Sequence, residues 1–466
     1  MNRFARCPLI LLLAGCTVGP DYHTPDLSLG DQWNTPKPAI AEAAPMPAQT
    51  PWWIAMHDPT LDALMTRALA ANEDRKIAEA RILEARGLRR SSASSLYPSV
   101  DLGAAAQRAG SSLQTFNGNL DLYQTSFDAS YELDLFGGNR RAVEAADAVI
   151  GAQVAAYHAL SLTLTAEVAR EYIAYRELQH QLALAKKTAS AQQNLQRISS
   201  DKFNAGLVSV LDRDQADTLK TTTQARIPDI ERQLAASSNR LAVLLGEIPG
   251  TLSAELNHTE HMPPALPLPV LSAPSDTIRN RPDVMRAERE LAAATALQGV
   301  AISAQYPKVS LGALFGLQYA SLPIMDFLAT GHMWSLGGAV SMPLLEFGGI
   351  EGQIDAADAR QQQALHNYRK TVLTALEEVE TGLSNLKHEN ERRLALAQAT
   401  QTASHAVSVA RSNYRDGLSD FTAVLQAEQQ SYATERDLVT SQGMLVQYVI
   451  ALHKAIGSPV EAPAKP

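Results

Sequence analysis

The sequence predicts an α+β membrane protein: an outer-membrane β-barrel shared between copies of the chain and continued by long α-helices. Three observations carry that fold class. Four segments alternate apolar and polar residues over about ten positions each, the pattern of strands with one face in lipid. Two proline-free runs, 139–203 and 352–415, are each long enough for about 95 Å of helix. The chain also repeats itself at an offset of about 210 residues.

The N-terminus sets the compartment. "MNRFARCPLILLLAGC" places Arg3 and Arg6 before a short apolar run and small residues, a secretory signal over 1–15 that is too short to span a bilayer. Leu13-Ala14-Gly15-Cys16 has the form of a bacterial lipobox, so Cys16 is the expected lipid anchor; the plainer reading is ordinary cleavage near Ala14. Thr17 in place of an aspartate favours sorting to the outer membrane. Cys7 and Cys16 are the only cysteines, and Cys7 leaves with the signal, so no internal disulfide is available to the mature chain. Residues 16–51 hold Pro20, Pro25, Pro36, Pro38, Pro45, Pro47 and Pro51 and read as an extended strap.

Composition narrows the classes. A net charge of −9 with no long basic run argues against nucleic acid. No segment approaches the roughly 20 apolar residues of a spanning helix, so membrane crossing falls to strands.

The repeat sets the organisation: 52–247 and 275–457, joined by a proline-rich linker at 248–274 and followed by a tail at 458–466. "YPSVDLGAAAQ" returns as "YPKVSLGALFGLQ", "LDLFGGNRRAVEAADA" as "LLEFGGIEGQIDAADA", and "KFNAGLVSVL" as "NYRDGLSDFTAVL". Each half opens with a capped helix, at Asp58-Pro59 and at Arg281-Pro282-Asp283. Two strands follow, near 97–108 and 122–135, then near 306–319 and 333–345. A long helix then reverses at a glycine turn, with tips at 204–209 and 415–420 around Gly206 and Gly417. Leu365, Val372, Val379 and Leu386 recur every seven, a coiled-coil seam that needs a partner along its length.

In the second strand Tyr123, Phe127, Tyr131 and Leu133 share one face, while Asp128, Glu132 and Asp134 share the other. The remaining strands behave alike: Leu102 and Ala104 against Asp101 and Gly103, Leu311 and Phe315 against Gly312 and Gly316, Trp334 and Leu336 against Ser335. A soluble sheet layered on helices has the same pattern strand by strand. Four strands cannot close a barrel, and an open edge in lipid leaves backbone groups unsatisfied. Three copies supply about twelve strands, enough for a water-filled bore lined by Asp128, Glu132 and Asp134.

Other chemistry is thin. "HTEH", His258–His261, has metal-ligand residue types but sits in the linker with no second cluster. "FGG" at 136–138 and 347–349 reads as the bend between strand and helix rather than a phosphate loop.

The sequence resembles the outer-membrane factors of tripartite efflux systems, the TolC-like family, and within it the OprM/NodT-type lipoproteins. The residues that carry the resemblance are "CTVGPDYHTP" after the lipobox, "PWWIAMHDPTLDAL", "YPSVDL" and "YPKVSL", "RPDVMRAERELAAA", and "NYRDGLSDFTAVLQAEQ". It implies a homotrimer with an outer-membrane barrel of about twelve strands, four per chain, above a periplasmic α-helical barrel. It further implies a passive duct served by a periplasmic adaptor and an inner-membrane pump of the proton-driven RND type, without catalysis or cofactor. The helix ends are implied to close the pore and meet the adaptor, which selects Gly206, Asp214, Tyr414, Arg415, Gly417 and Asp420, with Arg415 tethered to Asp420 or Asp214. Relatives often carry an aspartate where this chain has Gln426, which removes one carried-over acidic constriction. The rival classes are a lipidated trimeric coiled-coil stalk, which leaves the paired strands unexplained, and a periplasmic enzyme, for which no nucleophile–base constellation stands in the sequence.

Overall fold

The computed structural model describes residues 17–26, 29–36, 50–113, 116–257, 268–269, 271–322 and 327–460. They form two compact units. One takes Ala80–Ala155 and Met285–Lys370 with the described part of the first 26 residues, and the other takes the remainder.

The first unit holds one antiparallel sheet. Strands β1 (Ser99–Leu113), β2 (Phe116–Leu133), β3 (Lys308–Leu322) and β4 (Phe327–Ser341) lie in sequence order. Leu102 pairs with Phe127, Phe127 with Phe315, and Phe315 with Trp334. Side chains alternate along each strand, so this one row fixes the faces of all four. The strands are longer than the alternation predicts, 15 residues for three of them and 18 for β2. Lipid sets the height of the apolar band only; backbone pairing continues past it, where Arg108 faces Asp121 and donates to its carboxylate. At the other end β4 stops at Ser341, ahead of Pro343, which has no N–H for the ladder. Met342 and Leu344, expected on the strand, therefore leave it.

Each strand pair passes into a long helix through the same bend. Gly137 (φ 82°) precedes α3 (Gly138–Asn204), and Phe347 (φ 48°) with Gly348 (φ 87°) precedes α8 (Gly349–Arg415). The first bend is filled: a Cβ on Gly137 would stand 2.6 Å from Thr17 Cγ2. The chain after Thr17 is held there by Arg141, which is 4 % exposed and donates to the Val18 and Gly19 carbonyls and to Asp21.

The second unit is a helical core. Both returning helices, α4 (Val210–Leu244) and α9 (Phe421–Ala455), are 35 residues long, and both long helices are 67. Trp52 and Met56 of a short 3-10 turn (Trp52–Met56) and Leu61, Leu64 and Met65 of α1 (Pro59–Ala71) are almost fully buried among Tyr172, Ile173, Leu241, Val449 and Ile450. Asp58 caps α1 through the N–H groups of Thr60 and Leu61 and accepts the Tyr172 hydroxyl at 2.6 Å. The expected heptad seam is buried at Val372, Val379 and Leu386, with Tyr368 taking the place of the half-exposed Leu365.

The duplication repeats a fastening device with different chemistry. The Asn72 amide, just ahead of α2 (Glu73–Ser94), donates to the Leu244 carbonyl at the end of α4, and the Arg281 guanidinium donates to the Ala455 carbonyl at the end of α9. Arg281 follows the short helices α5 (Ser253–Leu256) and α6 (Pro274–Arg279), precedes α7 (Pro282–Ser303) and also binds Asp283 and Glu378. One expectation needs correcting: α3 contains an 18-residue window apolar enough for a membrane span, a third of it buried. In the same helix Leu164, Val168 and Ala169 pack into the core.

Candidate functional sites on the sheet and at the hairpin tips

One face of the sheet carries Val100, Leu102, Phe127, Phe315, Leu317, Trp334, Leu336 and Val340, all exposed, Trp334 and Leu336 by three-quarters or more. An apolar surface of this extent does not stand in water and marks contact with lipid or another chain. Tyr123 and Tyr319 sit on this face with ring centroids 5.9 Å apart, next to the Arg108–Asp121 pair that ends the apolar band. The opposite face is small and acidic. Asp101 lies directly across from Asp128, which accepts from Ser126 Oγ at 2.9 Å. Glu132 is on the same face opposite Ser310, with Gly103, Gly312, Gly316 and Gly337 beside them.

Asp134 does not belong to that face. β2 ends at Leu133, and the Asp134 carboxylate turns to the start of α3, accepting from the N–H groups of Asn139 and Arg140 at 3.1 and 3.0 Å and from the Arg140 guanidinium. Two orphan donors of a helix N-terminus satisfy it better than the next strand position does.

The tips are built alike. Gly206 (φ 71°) and Gly417 (φ 78°) adopt the left-handed conformation. The next residue closes the helix end in each case, Leu207 N–H to the Lys202 carbonyl at 2.9 Å and Leu418 N–H to the Asn413 carbonyl at 2.8 Å. Ser209 then caps α4 and Asp420 caps α9 by accepting the Ala423 N–H at 3.3 Å. Between the tips lies a small core of Leu195, Ala216, Tyr414, Phe421 and Val424. Tyr414 is 2 % exposed, its ring edge-on to Phe421 at 5.4 Å and its hydroxyl 3.4 Å from Ser199 Oγ.

The expected tether of Arg415 is not made within the chain. Asp420 is engaged as a cap, Asp214 is held by Arg213 at 2.8 Å, and Arg415 is exposed. Gln426 is exposed on α9. The cation that does join the tips is Lys202, whose ammonium donates to the Tyr414 carbonyl; no sequence motif announces a lysine bound to backbone. Cys16 and His258–His261 lie outside the described residues.

A four-stranded sheet with one lipid-suited face and two long helical hairpins, all from a duplicated unit, defines the class of outer-membrane channels made jointly of strands and helices. The family model for outer membrane efflux proteins matches residues 64–247 and 273–458, and the chain belongs to that family. It is 29% identical to Nodulation protein T of Rhizobium leguminosarum bv. trifolii, over 98% of this chain and 97% of that protein. It is 28% identical to the toluene efflux pump outer membrane protein TtgI of Pseudomonas putida, over 98% of each. The solved outer-membrane channel OprN superposes with a TM-score of 0.85 at 30% identity, covering 96% of this chain and all of that one. The protein is thus an outer-membrane efflux channel component.

Proposed function

We propose that three copies of the chain close one barrel, β4 of each pairing with β1 of the next, and that the barrel and its helices form a passive duct. The observation that carries this reading is the sheet itself. Its apolar positions share one face across four strands, while among the described residues its outer strands have no partner beyond β2 and β3. In lipid those edges must be paired. The acidic face then lines water. An inner-membrane pump of the proton-driven RND type and a periplasmic adaptor supply the cargo, the adaptor meeting the hairpin tips at 203–210 and 414–421. The tips form the gate, with Gly206, Asp214, Tyr414, Arg415, Gly417 and Asp420 at its rim. The cargo class follows from the pump.

Cysteine scanning tests the register. Single cysteines at Asp128 and Glu132 are expected to react with a membrane-impermeant thiol reagent, and cysteines at Phe127 and Tyr131 to stay unmodified. A slip of one residue exchanges the two sets, so labelling of 127 and 131 alone, or of all four, removes the barrel. Purified trimer in planar bilayers is expected to carry current, which a coiled-coil stalk does not.

Cys16 is the proposed lipid anchor, which leaves the neighbouring Thr17 seated against the Gly137 bend at the end of β2. Cys16→Ser should abolish incorporation of radiolabelled palmitate and slow removal of the signal. Undiminished labelling would place the lipid elsewhere. Barrel insertion should survive the change, because burial of about twelve strands far outweighs one acyl anchor.

A further inference from the structure

The two hairpins of one chain meet at their tips through a contact that uses no acid. Lys202, half-buried in the last turn of α3, places Nζ 2.6 Å from the Tyr414 carbonyl and 3.3 Å from the Arg415 carbonyl. The same ammonium stands 4.4 Å from the centroid of the Tyr414 ring. These carbonyls belong to the last turn of α8, where the helix leaves acceptors unsatisfied and its dipole is negative. The Tyr414 carbonyl also accepts the Gly417 N–H at 3.3 Å, so one cation meets its second lone pair, the helix C-terminus and an aromatic face together. A cavity of about 250 Å³ lined by Asn194, Leu195, Ile198, Arg411 and Arg415 borders Tyr414.

The duplication shows that the turn does not require this contact. Both tips share the glycine, the helix-end closure and the N-cap, and these suffice to turn the chain. By the same repeat Lys202 corresponds to Asn413. One tip carries a cation that the turn does not require, aimed at the end of the other hairpin.

We infer that Lys202 is the intrachain latch of the gate, binding the end of α8 to the end of α3 through backbone carbonyls, and that opening breaks this contact. The inference rests on the reading of the tips as a gate. A backbone acceptor cannot be removed by substitution at Arg415 or Asp420, so this latch does not depend on either side chain.

The test is single-channel recording of purified trimer in planar bilayers. Lys202→Met keeps the length of the side chain and removes its charge. It is expected to raise the ratio of high- to low-conductance time about tenfold, equivalent to about 1.4 kcal/mol. Lys202→Arg should stay near the parent value. Lys202→Cys should behave as Lys202→Met, and alkylation with 2-bromoethylamine, which rebuilds an ammonium at lysine length, should return it to the parent ratio. Unchanged gating in Lys202→Met, or an alkylated Lys202→Cys channel that stays open, overturns the latch while leaving the channel reading intact. Parent trimer that passes no current overturns the channel reading itself.

Discussion

Arg281→Met protein is expected to lose most of its assembled trimer. The guanidinium is 6 % exposed and serves three partners: the Ala455 carbonyl closing α9, Asp283 at the start of α7, and Glu378 of α8. Methionine fills much of the volume but donates nothing. The two carboxylates are nearly half exposed and regain water, so the loss falls chiefly on the buried carbonyl and on the junction of three helices. A cost of about 2–4 kcal/mol follows for a charge-assisted network broken on one side. Arg67 provides the contrast. It also pairs with two acids, Glu247 at 2.6 Å and Glu255 at 2.9 Å, but is 34% exposed, which puts Arg67→Met at about 0–1 kcal/mol. Thermal unfolding of the two variants by helical circular dichroism separates them; equal melting temperatures would show that burial of Arg281 contributes nothing.

The same cluster sets an acid limit. Burial, the largest single influence, pushes the Asp283 carboxyl up, but the hydrogen bonds and charge of Arg281 together with the backbone N–H groups of Asp283 and Val284 outweigh it and hold the group below its ordinary 3.8. A depressed carboxyl contributes stability that is fully present above 3.8 and is lost as pH falls through the folded value. Parent protein should therefore lose stability below that pH, with a shallower loss in Arg281→Met.

Much of this was legible in the sequence, and the parts that were not have physical reasons. The period-2 alternation at Tyr123–Leu133 identifies its face because one side meets a different medium. The strand ends are not encoded that way: beyond the apolar band, Gly110, Asn119 and Asp121 look like loop residues yet remain in the ladder. Asp134 obeys the alternation and still leaves the strand, because the α3 amides compete for it. The tip glycines were visible through the repeat. Lys202 and Arg281 were not, because each binds main-chain carbonyls, and a carbonyl is present at every position. The motif Arg281-Pro282-Asp283 announces a helix start but not the helix end it fastens.

Gly316→Val is expected to prevent barrel formation, although valine is a strong strand former. Gly316 lies on the acidic face of β3 opposite Ser126, which is 6 % exposed. A Cβ at this position would stand 2.3 Å from the Thr125 carbonyl oxygen and 2.8 Å from Ser126 Cα. Both are backbone atoms of β2 and have no rotamer to yield, so the β2–β3 ladder must open. Overpacking of this kind costs about 1–3 kcal/mol per site, and a barrel of three copies incurs it three times over, about 3–9 kcal/mol per trimer. At Gly337, on the same face of β4, an added Cβ would meet nothing within 4 Å, and at Gly312 it would meet only the Ala129 carbonyl at 4.0 Å. Gly337→Val and Gly312→Val add the same side chain to the same face and should assemble. The measurement is the yield of heat-modifiable trimer in outer-membrane fractions, with Gly316→Val depleted and the other two near parent. Equal yields for all three would mean that β2 and β3 do not approach as closely in the closed barrel. Loss in all three would assign the inner face a general need for glycine, set by curvature rather than by one contact. Depletion of Gly316→Val alone locates the requirement at the point where β3 of the second repeat crosses onto β2 of the first, the seam through which the duplicated halves become one sheet.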